Sequence, residues 1–173
     1  MTLYLILGTL VTMRIIGIDP GIAIVGFGII DTNGQKMTAI SYGAIKTPAH
    51  TPIGERLVLI QNSLNKLLET YKPDIAGVEE IFFSKNVKTA ITVSHARGVM
   101  VYCMEKFNIP IFNYSPTAVK SAILGYGNAE KKQIQFMTKE ILKLKSIPKP
   151  DDVADALAIA ICHHHSHSLQ SKL

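Results

Sequence analysis

Cysteine is scarce in this chain. The 173 residues hold two, Cys103 and Cys162, and no Cys-x-x-Cys spacing occurs. That excludes a disulfide framework and a thiolate metal site, and the two thiols read as buried, reduced spacers in a cytosolic protein. Long apolar runs are missing as well. The first twelve residues, MTLYLILGTLVT, are apolar but too short to span a bilayer. They also lack the basic leader and clear cleavage site of a secretory signal. Met13 follows them and reads as the functional start, with 1–12 an apolar N-terminal extension. No linker, internal repeat or low-complexity tract interrupts the rest, so 13–165 reads as one domain and 166–173 as a C-terminal tail. No membrane partner and a cytoplasmic location are expected. Acids are outnumbered by 13 to 18, giving a net charge of +5 and a pI near 9.2. Such a surplus suits a polyanionic partner, yet it is common among unrelated small proteins, so charge by itself assigns no function.

What is present describes a folded α/β protein. Apolar residues make up 47% and charged residues 18%, as in ordinary globular chains. RIIGID (14–19) and IVGFGIID (24–31) read as buried strands separated by a Pro20-Gly21 turn. Asn33-Gly34 signals a hairpin into a third strand at about 37–46. Ile53, Leu57, Ile60, Leu64, Leu67 and Leu68 recur at helical spacing until Pro73. DIAGVE (74–79) returns to a strand. A helix over about 87–106 and a strand at 109–114 follow. Shorter helices are expected at 116–124 and at 129–144, the latter capped by Asn128. The last helix starts near Asp151 or Asp152. The expected sheet is five-stranded.

Four acids stand out. Asp19 and Glu79 each end a predicted buried strand, and sites in open α/β sheets form beyond the carboxyl ends of strands. Asp152 and Asp155 are three apart at a helix start and share one face. Taken singly, Asp152 is as good a helix cap as a catalytic acid, Asp155 suits the helix dipole, and Asp19 suits a turn. Glu79 is harder to explain locally, because burying an unpaired carboxylate is costly. Two converging carboxylates repel by about 4 kcal/mol at ~4 Å and an effective dielectric near ~20. A cluster of them needs protons, basic partners or a shared cation. No Lys or Arg flanks Asp19 or Asp152 in sequence, and an all-oxygen site suits Mg²⁺ or Mn²⁺.

GIDPGIAIVGFGII, VEEIFFSKN, HARGV and DDVADALAIAICHHH, spread from about Met13 to His165, resemble the successive blocks of RuvC-type Holliday-junction resolvases. The resemblance implies a ribonuclease-H-like fold, a five-stranded mixed sheet flanked by helices. It also implies a homodimer acting on four-way DNA junctions with a branch-migration helicase of the RuvA/RuvB type. The family's catalytic and metal-holding carboxylates fall on Asp19, Glu79, Asp152 and Asp155, and not on the neighbouring Glu80 and Asp151. Two Mg²⁺ ions per subunit are implied, Mn²⁺ substituting, with Asp19 bridging them. Phe82, beside Phe83, falls on an aromatic that stacks at the junction centre. Lys85, Asn86, Lys120 and Lys131 fall on DNA-contacting positions, whereas bare helix lysines such as these and Lys132 are ordinarily solvated.

His95 and Arg97 lie on the helix that the family uses for dimerisation, so packing or DNA-backbone contact, and not catalysis, is expected of them. His163, His164, His165 and His167 read as a solvated tail. The implied activity is paired symmetric nicking of junctions in recombination and repair. Competing readings are an actin-like ATPase or sugar kinase, which needs a second phosphate loop that is absent, an inactive nucleic-acid-binding scaffold, and an rRNA-processing nuclease of the same fold.

Overall fold

The computed structural model describes residues 12–81 and 87–170. Expectations for the extension before Thr12 and for Phe82, Phe83, Lys85 and Asn86 lie outside the described residues. β1 (Met13–Asp19), β2 (Ile24–Asn33) and β3 (Lys36–Lys46) form an antiparallel meander. The hairpin closes one residue later than the Asn-Gly signal suggests: Asn33 pairs with Lys36, and Gly34 takes the positive φ of 58°. α1 (Ile53–Tyr71) ends where Lys72 turns left-handed ahead of Pro73. β4 (Ile75–Glu79) then lies parallel to β1. After α2 (Val87–Lys106) comes β5 (Ile111–Tyr114), parallel to β4. The mixed sheet has the order β3-β2-β1-β4-β5. α3 (Pro116–Leu124), α4 (Lys131–Ile141) and α5 (Asp151–Gln170) complete the fold.

Strand alternation divides the apolar residues between two cores. Ile16, Ile18, Ala76 and Val78 face α1 and α2, where Ile60, Leu64, Met100 and Met104 bury them. Ile15 faces the other way, toward Val119, Ile134 and Leu157 of α3, α4 and α5. Both thiols are buried and free. Among the described residues no helix is long and apolar enough to cross a membrane.

α5 lies directly on the sheet because two strand positions carry no side chain. A Cβ on Gly17 would run into the carbonyl of Ala156, and one on Gly26 into the carbonyl of Asp152. Glycine in a strand interior often marks such a close backbone approach.

Three local expectations need correction. Asn128 does not cap α4. Glu130 does, in a capping box in which its side chain accepts from the N3 amide and Gln133 Oε1 accepts from its own N–H at 2.9 Å. Two reciprocal bonds satisfy more of the orphan amides than an asparagine could from outside the turn. Asp152 is no cap either, because α5 already includes Asp151.

Of the histidines only His167 is exposed, and the others are not a solvated tail. α5 continues to Gln170, and His163 and His164 are buried. The Tyr114 hydroxyl, whose pKa is pushed up to about 12 chiefly by burial, keeps its proton and is hydrogen-bonded to His163 Nδ1 at 2.7 Å. Phe112 packs on the same ring at 4.8 Å between centroids. Desolvation lowers the His163 pKa to about 4, so a neutral imidazole fills this apolar junction of β5 and α5.

Candidate active site

The alternation that builds the two cores also aims the acids. On β1, Ile15, Gly17 and Asp19 share the α5 face, and on β4 so do Ile75, Gly77 and Glu79. The parallel register Ile18↔Val78 brings Asp19 and Glu79 level one step later, at the carboxyl ends of both strands. Asp19 also pairs with Gly26, the residue whose missing side chain admits the first turn of α5. The fold thus brings Asp152 and Asp155 to the two strand acids.

The electrostatics record that convergence. Burial raises the Asp19 pKa to about 8, and Glu79, Asp155 and Asp152 add to the effect. Asp19 and Glu79 share a hydrogen bond, which needs a proton between two carboxyls. Glu79 is also raised, mainly by burial, although the bond to Asp19 and the charge of Lys131 pull it down. Asp155 is raised by burial too, against the opposing hydrogen bond and charge of Lys131.

Lys131, the first residue of α4, reaches Asp155 Oδ2 at 2.9 Å and Asp151 Oδ2 at 3.8 Å. Desolvation alone would lower its pKa, but Asp155, Asp151 and Asp152 together raise it. The pair is uneven: burial penalises both charges, yet the half-exposed ammonium ends with a raised pKa and stays charged, while its more buried carboxylate partner is left with its pKa raised. Asp151 itself turns outward to Lys149 at 3.0 Å, and Glu80 is exposed. Both stand apart from the cluster.

A cavity of about 240 Å³ adjoins the acids, with Glu79, Asp155, Lys120 and Lys131 around an apolar floor that includes Val119 and Ile134. Lys120 is placed there by α3, which Ser115 caps by accepting from the Ala118 amide at 3.1 Å. On the other side, Arg97 of α2 donates from Nε to the Glu79 carbonyl at 3.3 Å and from Nη2 to Asn113 Oδ1 at 2.6 Å. His95 is exposed. Asn113 carried no sequence signal. Gly26 did, as a glycine inside a strand.

In kind and charge the donors suit a hard divalent cation: oxygen only, half-buried, and held together by a proton and a lysine. Among the described residues no three Asp, Glu, His or Cys side chains are gathered closely enough to hold an ion as they stand. Asp155 is drawn to Lys131, and Asp19 and Glu79 are joined through a proton. A cation held here would take the place of that proton and would compete with Lys131 for Asp155.

The sequence pattern of the family described as crossover junction endodeoxyribonuclease RuvC matches residues 15–163. The chain belongs to the RuvC family. A crossover junction endodeoxyribonuclease RuvC of Brevibacillus brevis is 56% identical over 151 residues, 87% of this chain and 91% of the relative. One from Clostridioides difficile is 52% identical over 161 residues, covering 93% and 95%. Among solved structures, T. thermophilus RuvC in complex with a Holliday junction substrate superimposes with a TM-score of 0.87 at 32% identity. That match covers 92% of this chain and 97% of that one. The ribonuclease-H-like architecture of the RuvC family is therefore the fold of this chain, as the five-stranded sheet and its order already indicated.

Proposed function

We propose that this protein is a divalent-metal-dependent endonuclease that resolves four-way DNA junctions by nicking two strands symmetrically. The observation that carries the reading is the meeting of Asp19 and Glu79 with Asp152 and Asp155 at the carboxyl ends of β1 and β4, in a chain of the RuvC family. Asp19, Glu79, Asp152 and Asp155 are the residues that would hold Mg²⁺, two ions per subunit, with Mn²⁺ able to substitute. Bound there, the cations would supply Lewis-acid activation of water and neutralisation of charge at the phosphodiester. Asp19 is the most constrained of the four, since three other carboxylates act on it. Lys131 neutralises Asp155 until the acids are otherwise compensated, and Lys120 and Lys131 line the approach as cations for the DNA backbone. Phe82, Lys85 and Asn86 are assigned to DNA by the family likeness alone.

Two nicks related by symmetry call for two sites. A two-fold dimer supplies them, matching the approximate symmetry of a junction. Ile91, His95, Gly98 and Tyr102 recur at helical spacing on α2, with Ile91 49% and Tyr102 59% exposed. An added Cβ on Gly98 meets nothing within 4 Å. This apolar face suits a second copy of the chain. The branch-migration helicase rests on the family likeness.

The test is cleavage of a synthetic mobile four-way junction, with and without Mg²⁺, beside a linear duplex. Paired nicks in the junction that need Mg²⁺ are expected. Equal cutting of both substrates would reduce the protein to a general nuclease.

A further inference from the structure

We infer that Arg97, oriented by Asn113, is an anion-binding arm that grips a phosphodiester of the DNA strand beside Glu79, on the side of the sheet opposite Lys120 and Lys131. The inference rests on the proposed function and names a contact that the function does not require.

A guanidinium carries five N–H donors in a fixed fork. Arg97 spends its two hydrogen bonds on neutral oxygens, the Glu79 carbonyl and Asn113 Oδ1. Among the described residues it forms no ion pair. Arg14 shows the alternative on the same sheet. Its Nε and Nη2 engage both carboxylate oxygens of Asp31 at 2.7 and 2.8 Å, and its Nη1 donates to the Tyr71 carbonyl at 2.7 Å. That arginine is a closed structural brace. Arg97 is half-buried and fixed in direction, yet among the described residues its charge and its Nη1 donors remain uncommitted. A planar fork held in place by neutral acceptors is set up for bidentate contact with a phosphate.

Location narrows the ligand. The Nε bond ends on the backbone of Glu79 itself, so the guanidinium sits at the carboxyl end of β4, next to the acid cluster. α2 supplies it from one face of the sheet, and α3 and α4 supply Lys120 and Lys131 from the other. A polyanionic strand drawn across the acids would then meet cations on both flanks. Asn113 matters because it is neutral. An aspartate there would hold the same fork and also cancel its charge.

The test is junction binding by the full-length protein in chelator, where cleavage is suppressed, as a function of salt. Arg97→Gln keeps a polar, hydrogen-bonding side chain and removes the charge. Each phosphate contact contributes about 0.9 to the slope of log affinity against log salt. Between about 50 and 200 mM salt the parent should therefore lose about 3.5-fold more affinity than Arg97→Gln. Asn113→Asp should reproduce that reduced slope in the parent and have little further effect in the Arg97→Gln background, because it acts by capturing Arg97. Parental slopes in both single variants would overturn the inference while leaving the proposed function standing. A parent that neither binds nor nicks junctions would overturn both.

Discussion

The Nζ of Lys131 lies 2.9 Å from Oδ2 of Asp155, so the start of α4 closes on the start of α5 through one lysine. Sequence separates the two residues by the whole of α4 and the proline-rich loop after it. The pair is the cation that the acid cluster already has, and its replacement is the first prediction.

Lys131→Met should make divalent-cation binding tighter, because Asp155 is freed and a competing charge is removed. Titration calorimetry with Mn²⁺ measures this directly, and weaker binding than in the parent would contradict it. Stability should fall by no more than ~1 kcal/mol, since the lysine side chain is 54% exposed and solvent screens the pair. Junction nicking should fall despite the tighter cation site.

Asp19→Asn should abolish nicking and leave junction binding nearly intact, as read by a gel-shift assay beside a cleavage assay. Nicking at the parent rate would remove Asp19 from the proposed site.

The metal-free protein should lose stability as pH rises from about 6.5 to about 8. Asp19 has a folded pKa raised to about 8. Above its ordinary value the unfolded chain has released this proton and the folded chain has not, so stability falls with pH until about 8. Glu79 and Asp155, also raised, act in the same sense. His163 works oppositely: with a folded pKa lowered to about 4, its contribution is complete above its ordinary value and is lost as pH falls toward 4. Below about 6.5 the two slopes oppose each other. Thermal melts in chelator across this range should show the decline above 6.5, and Asp19→Asn should flatten it. Added Mg²⁺ should restore stability at pH 8 by binding only the folded state.

Gly26→Ala should cost about 1–3 kcal/mol or more, the range for overpacking a close contact, because the new methyl meets the Asp152 carbonyl. Nicking should suffer beyond the stability loss, since the same displacement moves Asp152 and Asp155. Denaturant melts and nicking rates measured on one preparation separate the two effects. An unchanged melt would show that α5 is not seated on this glycine.

Tyr102→Glu should leave the fold intact and yield a monomer in light scattering. The residue is 59% exposed on the apolar face of α2, and a charge there opposes burial against a second copy. A dimer that persists would place the interface elsewhere.

Much of the fold was legible because it rests on periodicity. Every strand and helix described matches a predicted segment, with shifts only at ends such as 129–144 against Lys131–Ile141. The misreadings share a cause. From their immediate neighbours Asn128 reads as a cap and Asp152 as a cap or a catalytic acid alike, whereas the caps depend on where the chain enters each helix. The histidines read as a tail from composition, and composition does not reveal that Phe112 and Tyr114 cover His163.

By itself the sequence determined the elements, their neighbours in the sheet's opening meander and the residue types available for chemistry, because hydrophobic spacing and turn residues act over a few positions. It also carried the motif blocks that resemble the RuvC family. Only the tertiary structure decided which charges meet. Parallel pairing of β1 with β4 levelled Asp19 with Glu79, glycines at 17 and 26 let α5 descend onto them, and α4 delivered Lys131 to Asp155. Electrostatic interaction falls with distance in space, and for these residues that distance is set by sheet register and helix seating.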